Sequence, residues 1–376
     1  MQSDSKKKQI MLIKFAATNF RGFANRIEWD LSKPSNYAFH PEAIKDGYIK
    51  NGIIYGPNGI GKSNFGLAIF DIVYHLTIKW KKSDYFNNYV YAGKPDSPVS
   101  FEYTFMLGND LIEYRYSKNH AGVLHSEMLW VNNHQVFKQD KDIFEIDAAQ
   151  FNVDEIIKNN FKQSVNGASV IAFLTASFPL PQEHYIVKLL QFVNSMLWFK
   201  CLESREYIGL ETTNIELDTY IIQNGLVEDF KFFLKKVSEQ EFSFVKPNEG
   251  DKLLFCEIDG NKLPFINVIS TGTKSLQLLY VWMKEMKFAS FVFIDEFDAF
   301  YHFKLAFEVC KQLFNLDCQV FMSSHNTYLM TNDLLRPDCN FIIGDNKIKP
   351  LNECTEKELR FGHNIEKLFR GDAFRV

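Results

Sequence analysis

Paired cysteines are missing from this sequence. Its six cysteines, Cys201, Cys256, Cys310, Cys318, Cys339 and Cys354, form no C-x-x-C pair and stand at no metal-ligand spacing with histidine. A disulfide framework is therefore not what holds the chain together, and the thiols are expected to be reduced and buried. An excess of one charge is missing too. The 42 Lys and Arg against 46 Asp and Glu leave a net charge of −4, which argues against a protein that coats nucleic acid over its whole surface. No stretch reaches the ~18 uncharged apolar residues of a membrane span; the most apolar one, Ile186 to Leu202, carries Lys188 and Lys200. The basic start Met1–Lys8 leads into Ile10–Ile13, but Lys14 interrupts that run too soon for a secretory signal. A cytoplasmic protein with no membrane partner is the expectation. No heptad seam persists over several repeats, which excludes a long coiled-coil arm, and no internal repeat or low-complexity tract occurs.

What remains is an ordinary globular composition, 46% hydrophobic and 23% charged over 376 residues, which suits two or three structural units at ~150 residues each. Met11–Ala17 reads as a strand, and Asn51–Tyr55 as a short buried strand ending at a glycine. A helix is expected over Lys62–Trp80, because Phe65, Ile69, Ile72, Val73 and Leu76 recur at spacings of three and four. From Val99 to Phe137 the period drops to two. Phe101, Tyr103 and Phe105 precede the turn Gly108-Asn109-Asp110, Ile112, Tyr114 and Tyr116 follow it, and Leu124–Val131 and Gln135–Phe137 flank Asn132-Asn133; this is hairpin patterning. Residues 140–240 read as mostly helical, with Ile186, Leu189, Leu190, Val193 and Leu197 as the clearest stripe. Strands return at Phe242–Val245, Leu253–Ile258 and Leu263–Phe265. A helix over Lys274–Met286, a strand at Phe291–Ile294, a helix over Lys304–Phe314 and a strand at Gln319–Met322 follow. Strands and helices alternating at this spacing imply βαβ units and a largely parallel sheet.

One segment carries chemistry by itself. Gly56-Pro57-Asn58-Gly59-Ile60-Gly61-Lys62-Ser63 fits G-x-x-x-x-G-K-[ST] at every position. The glycines let backbone N–H groups close around phosphate oxygens, and the helix that follows adds its positive end. Lys62 would lie on the β- and γ-phosphates, and the Ser63 hydroxyl would ligate Mg²⁺. Average composition produces such a match in about one chain per hundred of this length, and here a strand precedes it and a helix follows.

A second segment, Phe291-Val292-Phe293-Ile294-Asp295-Glu296, is an apolar strand that ends in two carboxylates. At the carboxyl edge of a parallel sheet such an end faces the ligand crevice. Asp295 would hold Mg²⁺, and Glu296 would act as the base that activates water.

Together with Ser270-Thr271-Gly272-Thr273 and Ser323-Ser324-His325, these segments resemble an ABC-type ATPase. More narrowly they resemble the AAA-15/AAA-21 group of bacterial ATP-binding proteins, relatives of the RecF, SMC and OLD ATPases. Asn19-Phe20-Arg21-Gly22-Phe23 is similar to the group's N-terminal signature, and Phe297-Asp298-Ala299-Phe300-Tyr301-His302 to the loop after its acidic pair. The resemblance covers about Met11–Trp80 and Leu263–Asn332 and leaves the middle unspecified. It implies an α/β fold: an ABC-type P-loop ATPase head with a mixed, largely parallel sheet, a β-hairpin subdomain and a helical insert. The implied division is 1–98 and 241–376 for the head, 99–139 for the antiparallel subdomain and 140–240 for the insert.

For function the resemblance implies hydrolysis of ATP to ADP and phosphate with Mg²⁺, slow and regulatory. Two heads would form a homodimer, or a higher even-numbered oligomer. Ser270 and Gly272 look like the signature that caps the γ-phosphate of ATP held by another subunit. His325 looks like the switch histidine, and Asp298 like a residue that communicates across the dimer. His302 stands where the group often has Leu-His-Pro, here Tyr-His-Phe. For the Q-loop glutamine, Gln135, Gln139 and Gln163 are equal candidates. The 51 residues after His325 are too few for the nuclease domain of OLD proteins. The implied role is a sensor that governs an effector protein in bacterial anti-phage defence. A RecF/SMC-like ATPase that binds DNA is the alternative, and a small-molecule kinase a third. Arg21 and the stretch Lys79-Trp80-Lys81-Lys82 suit phosphate or nucleic acid as well as a plain surface. The 37 phenylalanines fit either a helical insert that docks on a partner or a compositional bias, the latter slightly favoured, and Arg370 and Arg375 beside Phe369 and Phe374 are a candidate assembly contact.

Overall fold

A computed structural model describes residues 9–79, 83–141, 143–151, 168–200, 207–209 and 216–376 of the chain. The chain opens with strand β1 (Ile10–Thr18), which turns back as β2 (Ile27–Asp30). A small hairpin, β3 (Ile44–Lys45) and β4 (Tyr48–Ile49), leads into β5 (Asn51–Tyr55), and the helix Lys62–Leu76 follows. The period-two region forms β6 (Val99–Leu107), β7 (Asp110–Lys118), β8 (Leu124–Val131), β9 (His134–Asp140) and β10 (Ile143–Ile146). Next come β11 (Met196–Lys200) and β12 (Tyr207–Gly209), the hairpin β13 (Phe255–Ile258) and β14 (Asn261–Pro264), and then β15 (Phe291–Asp295) and β16 (Gln319–Ser324). The pair β17 (Asn340–Gly344) and β18 (Lys347–Pro350) comes last.

Two seven-stranded sheets result. One runs β10-β9-β8-β7-β6-β1-β2 and is antiparallel throughout. The other runs β12-β11-β15-β16-β5-β17-β18; β11, β15, β16, β5 and β17 are mutually parallel, and β12 and β18 are antiparallel edges. Every residue of β5, β15 and β16 is buried, as expected for parallel strands covered on both faces. Their sequences are accordingly apolar runs rather than alternating ones.

The helix Lys62–Leu76 lies between the sheets. On one side a Cβ on Gly66 would stand only 2.7 Å from the Phe293 ring of β15, so the helix packs there with no room for a side chain. On the other side the Tyr103 hydroxyl of β6 donates to the carbonyls of Ala68 and Ile69, each at 3.2 Å. The sheets also touch directly. A register shift in β1 between Leu12 and Lys14 is met by Gln319 of β16, whose side chain accepts from Leu12 N–H at 2.8 Å and donates to Leu12 C=O at 2.9 Å. The helices Thr271–Met286 and Phe303–Phe314 bury Leu276, Leu279, Tyr280, Leu305, Ala306, Val309 and Leu313, and Trp282 packs on Phe199 of β11.

Several expectations change. The period-two strands do not stand apart: β6 pairs along β1, so the N-terminal strand and the hairpins are one sheet. The boundary expected at 139 falls inside β9. The stripe assigned to one helix through Leu197 ends at Asn194; Leu197 belongs to β11, which pairs with β15. The region read as a helical insert therefore lends the parallel sheet a strand. Phe242–Val245 contributes only an isolated bridge, Phe244 to Cys256. The helix read to Trp80 stops at Leu76. There Thr77 turns to extended backbone and its hydroxyl donates back to Val73 C=O at 2.6 Å. Among the described residues no helix is long and apolar enough to cross a membrane, and Cys256, Cys310, Cys318, Cys339 and Cys354 are unpaired and buried; Cys201 lies outside them.

Candidate functional site

The carboxyl ends of β5, β15 and β16 meet at one place, and the sequence motifs arrive there with them. After β5 the loop Gly56–Ser63 keeps Pro57, Asn58 and Gly59 exposed, while Lys62 is buried at the first turn of its helix. Gly59 and Gly61 have φ of +77° and +109°, conformations that a side chain strains. A Cβ on Gly61 would also meet the Phe23 ring at 3.0 Å. This explains Phe23 in the N-terminal signature: it packs beneath the loop and against Phe65. The same turn is held by Asn19, whose side-chain amide donates to Ser97 C=O at 2.8 Å. Arg21 donates to Tyr85 C=O at 3.2 Å and lies over the Phe20 and Tyr85 rings. Its visible role is to fasten the turn.

Lys62 Nζ donates to the carbonyls of Gly56 at 2.8 Å and Pro57 at 3.1 Å, and lies 3.2 Å from His325 Nδ1. An ammonium only donates, so His325 Nδ1 is the acceptor and its ring proton sits on Nε2. That nitrogen faces Glu296 Oε1 at 3.9 Å. Burial pushes the Lys62 ammonium down from its ordinary value against the pull of Asp295, Glu296 and Asp298. Burial, and then the Lys62 charge, push the His325 imidazole down as well.

Asp295 ends β15 completely buried. Its Oδ1 accepts from Ser323 Oγ at 2.6 Å, while its Oδ2 is buried with no protein partner. A buried carboxylate oxygen left open beside a phosphate-type loop fits a cation or its water, so the residues present suit Mg²⁺ held between Asp295 and Ser63. Glu296 adopts φ +50°, and its N–H donates to Ser323 Oγ at 2.9 Å. Asp298 accepts from Ser324 Oγ at 2.7 Å; burial lifts its carboxyl above the usual range, opposed by that hydrogen bond.

Lys62, Asp295, Glu296, Asp298 and His325 are thus gathered at the ends of adjacent strands. Ser270 and Gly272 stand elsewhere in the hydrogen-bond pattern. Ser270 is the exposed N-cap of the helix Thr271–Met286, where its Oγ accepts from Thr273 N–H at 3.2 Å. A Cβ on Gly272 would lie 3.5 Å from Phe300 C=O, so the start of this helix rests on the loop that follows the acidic pair. His302 caps the helix Phe303–Phe314 through its backbone and makes no side-chain cap bond. Gln135 and Gln139 lie on β9 in the antiparallel sheet, and Gln163 is outside the described residues. Lys79 donates to Asn194 C=O at 2.8 Å; Trp80, Lys81 and Lys82 are outside them. Phe369 packs with Phe374, and Arg370 pairs with Glu366. Two contributors escaped the motif reading. Ile343 of β17 closes on Gly56, where a Cβ would meet its side chain at 2.9 Å. Ser323 stands in the Ser-Ser-His motif, and its position beside the acidic strand end is the sequence signal for its contact with Asp295.

A parallel sheet with a glycine-rich phosphate loop after one strand, an acidic pair after the next but one and a histidine after the strand between them defines a P-loop ATPase of the ABC type. The profile of the family described as "AAA domain, putative AbiEii toxin, Type IV TA system" matches residues 53–331, and the chain belongs to that family. Among solved structures it is similar to the SMC head domain from Thermotoga maritima, at 16% identity and a TM-score of 0.44, over 90% of this chain and 98% of that one. It is also similar to the Smc head domain bound to the C-terminal domain of ScpA from Pyrococcus furiosus, at 13% and 0.47, over 91% and 96%. The head domain with coiled coil and joint from Pyrococcus yayanosii is similar at 12% and 0.46, over 96% and 100%. No curated protein matches.

The proton positions carry a prediction. Any ATP turnover at this site should stay level through pH 7 and fall only below the ordinary imidazole value of about 6.5. Protonating His325 would place a second cation against Lys62, 3.2 Å away, which is why its acid limb lies low. A pH–rate profile with an acid limb at or above pH 7 would contradict this assignment.

Proposed function

We propose that the chain binds ATP with Mg²⁺ at Gly56–Ser63 and hydrolyses it slowly, and that two copies close on the nucleotide. In this reading each site is completed by Ser270–Thr273 of the other copy. The observation that carries it is the convergence of Lys62, the open Oδ2 of Asp295, and the facing pair Glu296 and His325 at the ends of three neighbouring parallel strands. Lys62 would exchange the carbonyls of Gly56 and Pro57 for phosphate oxygens. Mg²⁺, held by Ser63 and Asp295, would neutralise phosphate charge. Glu296 takes the proton of the attacking water, and His325, neutral with its proton on Nε2, donates towards the phosphate.

The closing contact is supported by Ser270, which stands exposed at the positive end of a sixteen-residue helix. The family's description, a putative toxin of a type IV toxin–antitoxin system, supports a regulatory role beside a partner protein. We assign the chain to the sensor side of a bacterial anti-phage defence module, with an effector as its partner.

The test is association. With ATP and Mg²⁺ a Glu296→Gln chain should shift from monomer to dimer in size-exclusion chromatography with light scattering. Adding Ser270→Arg, which places a bulky cation at the capping position, should return it to monomer while nucleotide binding persists. If the double variant still dimerises with ATP, the shared-site reading is wrong.

A further inference from the structure

Two adjacent buried serines end β16, and the first holds two different acidic residues at once. Ser323 is completely inaccessible to solvent. Its single hydroxyl proton points at Asp295 Oδ1, 2.6 Å away, because an ionised carboxylate offers only acceptors. With that proton committed, the Ser323 oxygen presents its lone pairs to Glu296 N–H at 2.9 Å. One hydroxyl therefore fixes the plane of the Asp295 carboxylate, leaving Oδ2 as the open oxygen, and anchors the backbone of the next residue.

That backbone needs anchoring. Glu296 has φ +50°, a left-handed conformation that is disfavoured for a residue with a Cβ. The turn that begins there sends the Glu296 carboxylate towards His325 instead of continuing along β15. A strand that simply ran on would alternate side chains across the sheet and carry Glu296 to the opposite face from Asp295. Asp298 does not do this job, since it is tied to the second serine, Ser324, which in turn accepts from Asn326 N–H at 2.8 Å.

We propose that Ser323 is a positioning residue of the nucleotide site: its hydroxyl orients the open oxygen of Asp295 towards the cation and holds Glu296 in the turn that faces the reacting water. This deepens the ATPase reading and rests on it. The hydroxyl acts through Asp295 and Glu296 and touches no substrate.

Fluorescent nucleotide binding, with and without Mg²⁺, separates this from a packing role. Ser323→Ala should bind nucleotide in EDTA as the unmodified chain does. It should lose about tenfold of the affinity that Mg²⁺ adds, and turn over 10- to 100-fold more slowly at saturating ATP. Ser323→Thr, which keeps the hydroxyl, should restore both, and it serves as the informative variant if the alanine form fails to fold. An alanine form with an unchanged Mg²⁺ increment and unchanged turnover overturns the proposal while leaving the ATPase reading intact, and so does a folded threonine form that is as impaired as a deletion of the hydroxyl. If the unmodified chain itself gains no nucleotide affinity from Mg²⁺, the ATPase reading falls and this proposal falls with it.

Discussion

Replacing Glu296 by glutamine should lower ATP turnover by at least 100-fold while nucleotide affinity stays within about threefold. The substitution is isosteric, so the left-handed backbone at this position and its hydrogen bond to Ser323 are preserved. On the proposed reading, what disappears is the acceptor for the proton of the attacking water. A positioned general base contributes 10²- to 10⁴-fold, and none of the neighbours replaces it. Asp295 Oδ1 is bonded to Ser323 and its Oδ2 is the oxygen proposed for the cation, Asp298 is bonded to Ser324, and His325 Nδ1 is occupied by Lys62. Single-turnover kinetics with radiolabelled ATP reads the chemical step directly. Turnover above about a tenth of the unmodified rate would assign the base elsewhere. His325 would be the first residue to re-examine, since it lies 3.9 Å from Glu296 Oε1.

The parts of this site that could be read in the sequence are those whose chemistry is local. A phosphate loop needs its glycines and lysine within eight residues, and a buried strand that ends in carboxylates declares itself in six. The parallel strands β5, β15 and β16 were legible for the same reason: burial on both faces leaves an apolar run. The strand β11 was not. Met196-Leu197-Trp198-Phe199 continues the apolar pattern of the helix Tyr185–Asn194 without a glycine or proline between them, and a short apolar run fits either period. Nor could the sequence show that β6 would pair with β1 across about eighty residues, because register between distant strands is decided by the surfaces they bury together. The edge pair β17 and β18 went unread, although Ile343 of β17 shapes the phosphate loop at Gly56. In the N-terminal signature Arg21 reads equally as a phosphate contact or as a plain turn residue, and the contacts it makes are structural. Arg21 and Phe23 secure a turn beneath the loop, and Asn19 binds the chain just before β6.

The largest stability effect should come from a residue with no motif at all. Asp71, completely buried on the helix that begins at Lys62, accepts four hydrogen bonds, two from the segment before β6 and two from β7. Tyr85 and Tyr89 donate to Oδ2 at 2.9 and 2.7 Å, and Tyr116 at 2.8 Å and Lys118 donate to Oδ1. Lys118 is only 2% exposed, and burial pushes its ammonium down against the pull of Asp71. One turn along the same helix, His75 bonds the Tyr114 hydroxyl at 2.9 Å, and Tyr114 donates to buried Glu127 at 2.7 Å. Glu127 in turn accepts from Ser169 Oγ and Val170 N–H at the start of the helix Val170–Ser177. A polar seam thus runs from the nucleotide helix through β7 and β8 to the helical region. Asp71→Ala would leave a buried ammonium without its carboxylate, which costs about 3–5 kcal/mol, and would remove one acceptor from each of three tyrosine hydroxyls as well. Pairing it with Lys118→Met removes the stranded charge, so the double variant should be more stable than Asp71→Ala alone by about 2 kcal/mol or more, the non-additivity expected of partners in contact. Urea denaturation of the two single variants and the double one measures this. A cost below about 1 kcal/mol for Asp71→Ala would mean that water reaches the seam and that the helix bearing Lys62 is held by its apolar face alone.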